Sequence, residues 1–156
     1  MSVVTFVLTA AHAVVGSVWL GAMAYSIAVV QPRAARLLGL ERYEELATVL
    51  GAGARWAVLG MCAALALTGA GLVALAYVDR SPGTGWLVLV VAKAVLFGCA
   101  ATLFGYVSWR LWPARLFALP AELPSLHRAF RRAACALIAL VGANMILGIA
   151  AHTVLS

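Results

Sequence analysis

The chain has 156 residues, of which 65% are hydrophobic and only 10% charged, and its mean hydropathy is +1.05. A soluble domain of this length has too much surface for such a composition, so the apolar excess faces lipid and one membrane domain over residues 1–156 is expected. The net charge of +6 belongs to arginines placed between apolar segments; without basic residues interleaved with aromatics, nucleic-acid binding is excluded.

Four spanning helices are predicted, in an all-α transmembrane bundle. The first covers about 3–30 and is closed by Gln31-Pro32-Arg33. It has no basic leader and is too long for a signal-peptide core, so it is read as a retained helix. Residues 38–53 carry Glu41, Glu44 and Glu45 among Leu40, Leu46, Val49 and Leu50. That pattern suits a short interfacial helix and equally the solvated start of the second span, about 56–77. A tight turn at 78–85 holds Asp79, Pro82, Gly83 and Gly85. The third span covers about 86–112. Pro113, Pro120 and Pro124 predict an irregular connection over 113–127, and the fourth span covers about 129–155. No internal repeat is visible.

Orientation follows from the arginines. Arg33, Arg36, Arg42 and Arg55 flank the first connection, and Arg110, Arg115, Arg128, Arg131 and Arg132 flank the third; Arg80 stands alone in the second. The positive-inside rule then puts the first and third connections in the cytoplasm and both termini outside. Small residues permit close helix approach, and Gly16, Gly21, Gly69, Gly71, Gly98, Gly105, Gly142 and Gly148 are expected to serve it. Cys62, Cys99 and Cys135 lie inside apolar runs without CxxC spacing, and an odd number cannot all pair; no structural disulfide is expected.

Three polar residues stand inside spans. A lysine there costs about 2.5–3.5 kcal/mol on insertion scales and belongs in a bundle interior or a wet cavity. At about 1.5 Å per residue, His12, Lys93 and Asn144 all lie roughly 10–15 Å from the outer ends of their spans. They are therefore expected to share one polar cavity, with Asn144 and the His12 ring as acceptors for the lysine. His12, Gly16, Trp19 and Met23 follow one another at helical spacing on one face, a stripe that is either a ligand face or a packing face. Imidazole, thioether and thiolate are ligands for copper(I), and imidazole for haem iron. The candidate metal ligands are His12, Met23, Met61, Cys62 and His152, with Lys93, Asn144 and Trp19 lining the cavity. Buried Met and Cys are also ordinary core fillers. His127, in the third connection, is expected to be solvated. All five acids lie in connections, and GxSxG, HExxH and P-loop motifs are absent from the sequence, so hydrolysis by paired carboxylates is excluded.

Several of these residues carry a resemblance. Ala11-His12, Trp19-Leu20-Gly21 and Pro32 resemble the first helix of the copper-resistance D (CopD) family. Arg55-Trp56 with Leu67-Thr68-Gly69, then Val90-Val91-Ala92-Lys93, then Arg131-Arg132, resemble its later helices. The resemblance covers nearly the whole chain. It implies a multi-pass protein of a bacterial cytoplasmic (inner) membrane that binds or transports copper, as a homo-oligomer or within a larger membrane assembly. The related HemJ-like four-helix proteins, associated with haem b and protoporphyrinogen oxidation, share the first-helix His and third-helix Lys, matched by His12 and Lys93. The chain departs from them after Gly21, where it reads Ala22-Met23-Ala24-Tyr25. That resemblance implies a haem-associated redox enzyme with His12 as axial ligand and Lys93 steering a porphyrin carboxylate. A structural subunit of a membrane assembly is the third reading.

Overall fold

A computed structural model describes residues 2–80, 82–119 and 121–155; the side chains at 40, 41, 79, 80 and 152–155 lie outside the described part. The described residues form four long helices, each long and apolar enough to cross a membrane: α1 (Val3–Gly39), α2 (Arg42–Val78), α3 (Thr84–Leu116) and α4 (Leu123–Leu155). The protein is an all-α, multi-pass membrane bundle.

The helices outrun the bilayer. α1 and α2 have 37 residues each, which at 1.5 Å per residue reach about 55 Å, well beyond a hydrocarbon core of about 30 Å. Residues 42–55 therefore continue α2 as one helix, so the segment at 38–53 is the solvated start of the second span rather than a separate interfacial helix. Alanine, leucine, glutamate and arginine hold a helix with or without lipid around it. Only Gly39 interrupts the path from α1 to α2, at φ 73° and ψ 171°. A Cβ is disfavoured at that positive φ, so glycine is what lets the chain reverse there.

Neither Pro32 nor Pro113 ends its helix. Each is preceded by one wide turn, Ser26–Val30 in α1 and Val107–Leu111 in α3, in which the amide of Gln31 donates to the Ser26 carbonyl and that of Trp112 to the Val107 carbonyl. Widening the ladder by one residue absorbs the amide that proline lacks. Pro124 lies in the first turn of α4, where no amide partner is needed. The irregular third connection thus shrinks to 117–122.

α1 packs antiparallel on α2, α3 on α4, and α1 also touches α4. The two hairpins correspond in a way the sequence conceals. His12 and Lys93 each stand twenty residues ahead of the proline that follows a wide turn, and Tyr25 and Tyr106 immediately precede those turns.

All four helices meet at Trp19 (3% exposed), Leu65, Ala100 (2%), Leu137 and Val141. Of the expected packing glycines, Gly16 approaches Leu65, Gly71 approaches Leu8, Gly69 takes the His12 ring and Gly148 takes the Lys93 ammonium. Gly21, Gly98 and Gly142 have no neighbouring side chain within reach, and Gly105 faces only Trp109 of its own helix. Those four do not serve helix approach. The tightest glycine is Gly51, which lies against the Trp112 ring.

Candidate functional site

The site begins with His12. Its Nδ1 lies 2.8 Å from the Thr68 hydroxyl on α2. Thr68 Oγ1 lies 2.6 Å from the Ala64 carbonyl, one turn back along its own helix. Two oxygens that close share a hydrogen, and threonine has only one to give. The hydroxyl therefore donates to Ala64 and accepts from His12. This arrangement puts the proton on Nδ1, and in the neutral ring Nε2 would then carry the lone pair that a metal ion or haem iron requires. Gly69 gives the ring room, since a Cβ there would sit 3.3 Å from His12 Cε1 and the ring would have to give way slightly.

Lys93 and Asn144 form the counterpart pair between α3 and α4. Lys93 Nζ donates to the Asn144 main-chain carbonyl at 2.9 Å, and Asn144 Nδ2 donates to the Lys93 main-chain carbonyl at 3.0 Å. The expected acceptors for the lysine, the Asn144 side-chain oxygen and the His12 ring, are not the ones used. Asn144 turns its amide to the carbonyl of Lys93, and His12 is engaged by Thr68. The two pairs lie on the two hairpins, which meet where α1 touches α4. His12 and Lys93 are both half-buried and directed toward a partner helix.

The sulfur residues gather elsewhere. Met23, Met61 and Cys62 pack against the Trp19 cluster, about three turns along α1 from His12. The structure thus sets Met23, Met61 and Cys62 against the Trp19 cluster, pairs His12 with Thr68 and pairs Lys93 with Asn144. The side chain of His152 lies outside the described residues. Among the described residues, no group of three or more His, Cys, Asp or Glu side chains is placed to hold a metal. Cys99 and Cys135 face outward from the bundle.

At the basic end stands a cluster absent from the sequence reading. Glu44 on α2 accepts from Arg115 Nε at 2.8 Å and Nη2 at 2.9 Å, and from His127 Nε2 at 2.9 Å. It ties α2, α3 and α4 together. The Arg115 guanidinium also lies over the rings of Tyr43, Trp112 and Phe130, at 5.4–5.8 Å from their centroids. His127 is therefore a structural partner rather than a solvated side chain. Nearby, Arg55 donates to the Ser108 carbonyl at 2.9 Å. That carbonyl loses its helical partner because the Trp112 amide is diverted to Val107 and Pro113 has none to offer. Thr68 was within sight of the sequence reading, in Leu67-Thr68-Gly69, but its role depends on which face of α2 meets α1.

No family model, curated protein or solved structure matches the chain.

Proposed function

We propose that this membrane protein binds and moves copper(I), taking it at His12 and passing it to the sulfur side chains around Trp19. The observation that carries the reading is the pair of contacts Thr68 makes, to His12 Nδ1 and to the Ala64 carbonyl. A histidine whose Nδ1 proton is held by a hydroxyl presents Nε2 to a metal, and Thr68 holds it so. Met23, Met61 and Cys62 supply the soft donors that copper(I) prefers, grouped from α1 and α2. Copper here is cargo, and ligands set at two levels suit transfer better than storage. The arginine distribution puts the Gly39 end in the cytoplasm, so His12 lies toward the outer face of a bacterial inner membrane.

A second reading has its own support. Lys93 and His12 stand at similar depths in their spans, and an ammonium at that depth suits an anionic ligand better than a bare cation; a porphyrin carboxylate is such a ligand. On this reading His12 Nε2 would hold the iron of haem b and Lys93 would hold a propionate. Haem would supply the redox chemistry, and the chain's part is to orient the ring nitrogen and neutralise the carboxylate.

One measurement separates the two. Purified protein is examined by optical spectroscopy, then titrated with copper(I) against a chromophoric chelator. Copper binding without a Soret band, lost in His12→Ala, is the expected result. A Soret band that disappears in His12→Ala establishes the haem reading instead. Neither species binding, or binding unaffected by His12→Ala, removes His12 from the site.

A further inference from the structure

We propose that a notch on α4 between Arg128 and Arg132 is a binding site for the phosphate group of an anionic phospholipid. The notch has a volume of about 240 Å3 and is lined by Ser125, Arg128, Ala129 and Arg132. These residues share one face of the helix. With a water occupying about 30 Å3, the space takes a phosphodiester and its first glycerol atoms, and is too small for a polypeptide segment.

The lining charge has no internal use. Arg128 Nε donates to the Pro124 carbonyl at 3.3 Å, which steadies a side chain that is itself exposed. Among the described residues neither Arg128 nor Arg132 has a carboxylate partner. Of the acids at this end, Glu44 is held by Arg115 and His127 and Glu122 by the Leu119 amide, and the described Glu45 forms no ion pair with either arginine. Two guanidiniums on adjacent turns, each a planar fork of donors, match the oxygens of a phosphate.

The depth selects the source of that phosphate. Residues 133–151 contain no charged side chain, so Arg132 stands at the edge of the apolar span. That edge is the headgroup layer, where lipid phosphates are concentrated. Free phosphate offers the same chemistry without the depth. Arg131 gives an internal control. It carries the same charge at the same level but lies outside the notch.

The test uses the full-length protein in detergent, with native mass spectrometry counting bound phosphatidylglycerol and, separately, phosphatidylcholine. Wild type should retain phosphatidylglycerol preferentially. Arg128→Gln with Arg132→Gln should lose about tenfold in retention, as expected for charge-assisted hydrogen bonds removed, while Arg131→Gln stays close to wild type. Should the double glutamine variant fail to fold, Arg128→Lys with Arg132→Lys keeps the charge, removes the fork and should still bind more weakly than wild type. Equal loss in Arg131→Gln, full retention in the double lysine variant, or equal retention of phosphatidylcholine would overturn the proposal. Displacement of the lipid by an equal concentration of inorganic phosphate would also overturn it, giving the notch to the free anion.

Discussion

Lys93 and Asn144 each hold the other's main chain: the ammonium donates to the carbonyl of Asn144, and the carboxamide donates to the carbonyl of Lys93. The pair fastens α3 to α4 and depends on Gly148, where an added Cβ would meet Nζ at 2.9 Å. Lys93 is the only lysine in the chain, so an amine-directed reagent followed by peptide mass spectrometry reports on it alone within the helices. Gly148→Ala should push the ammonium out of its seat and speed its modification severalfold. Equal rates in wild type and Gly148→Ala would show that Lys93 does not rest there. Lys93→Met should unfold at nearly the wild-type temperature, since the lost ammonium hydrogen bond is offset by removing a charge held inside the span.

Thr68 is predicted to govern ligand affinity without touching the ligand. Thr68→Val keeps the shape and removes the hydroxyl, which frees the His12 ring to rotate and to exchange tautomers. Loss of such an orienting partner typically weakens metal binding about 10–100-fold. Thr68→Ser should retain most of it. Affinity measured beside thermal unfolding separates this role from a packing role, in which stability would fall and the affinity of the folded protein would hold.

The Glu44 cluster should be the main electrostatic clasp of the basic end. Glu44→Gln strands Arg115, whose side chain is only 10% exposed. Because Glu44 itself is 22% exposed, the loss should fall between that of a surface pair and that of a buried one, on the order of 1–3 kcal/mol. His127 is 35% exposed, so His127→Gln should cost well under about 1 kcal/mol. Pairing Glu44→Gln with Arg115→Met should recover much of the single-mutant loss. Melting temperatures of the three variants and the double test this ordering, and equal losses for Glu44→Gln and His127→Gln would refute it.

The orientation of the bundle is open to direct test. In a cysteine-free background, Thr84→Cys should react with a membrane-impermeant maleimide added outside intact cells, and Arg36→Cys should react only after permeabilisation. The reverse pattern would invert the protein and put His12 toward the cytoplasm.

The hydropathy of the chain sufficed for the number of spans, because lipid exposure is a local demand made on every window of about twenty residues. His12, Lys93 and Asn144 were conspicuous for the same reason: a polar group in an apolar run is visible without knowing its neighbours. Helix ends were less legible. Pro32 and Pro113 look like stops, yet a wide turn ahead of each carries the helix through, and the extension of α2 to Arg42 depends on helix propensity, which persists where hydropathy falls.

Membership of the bundle, its apolar periodicity and its excess of cations around the first and third connections were thus determined by sequence alone. The pairings were decided by tertiary structure. Glu44 meets Arg115 and His127 across 71 and 83 residues, and His12 meets Thr68 across 56. Side-chain spacing along one helix states which residues share a face, but not which helix that face meets or how far it is rotated. Those are set by the packing of all four helices around Trp19 and by the reversal at Gly39. The contact between His12 Nδ1 and Thr68, on which the proposed chemistry rests, forms only once that packing is complete.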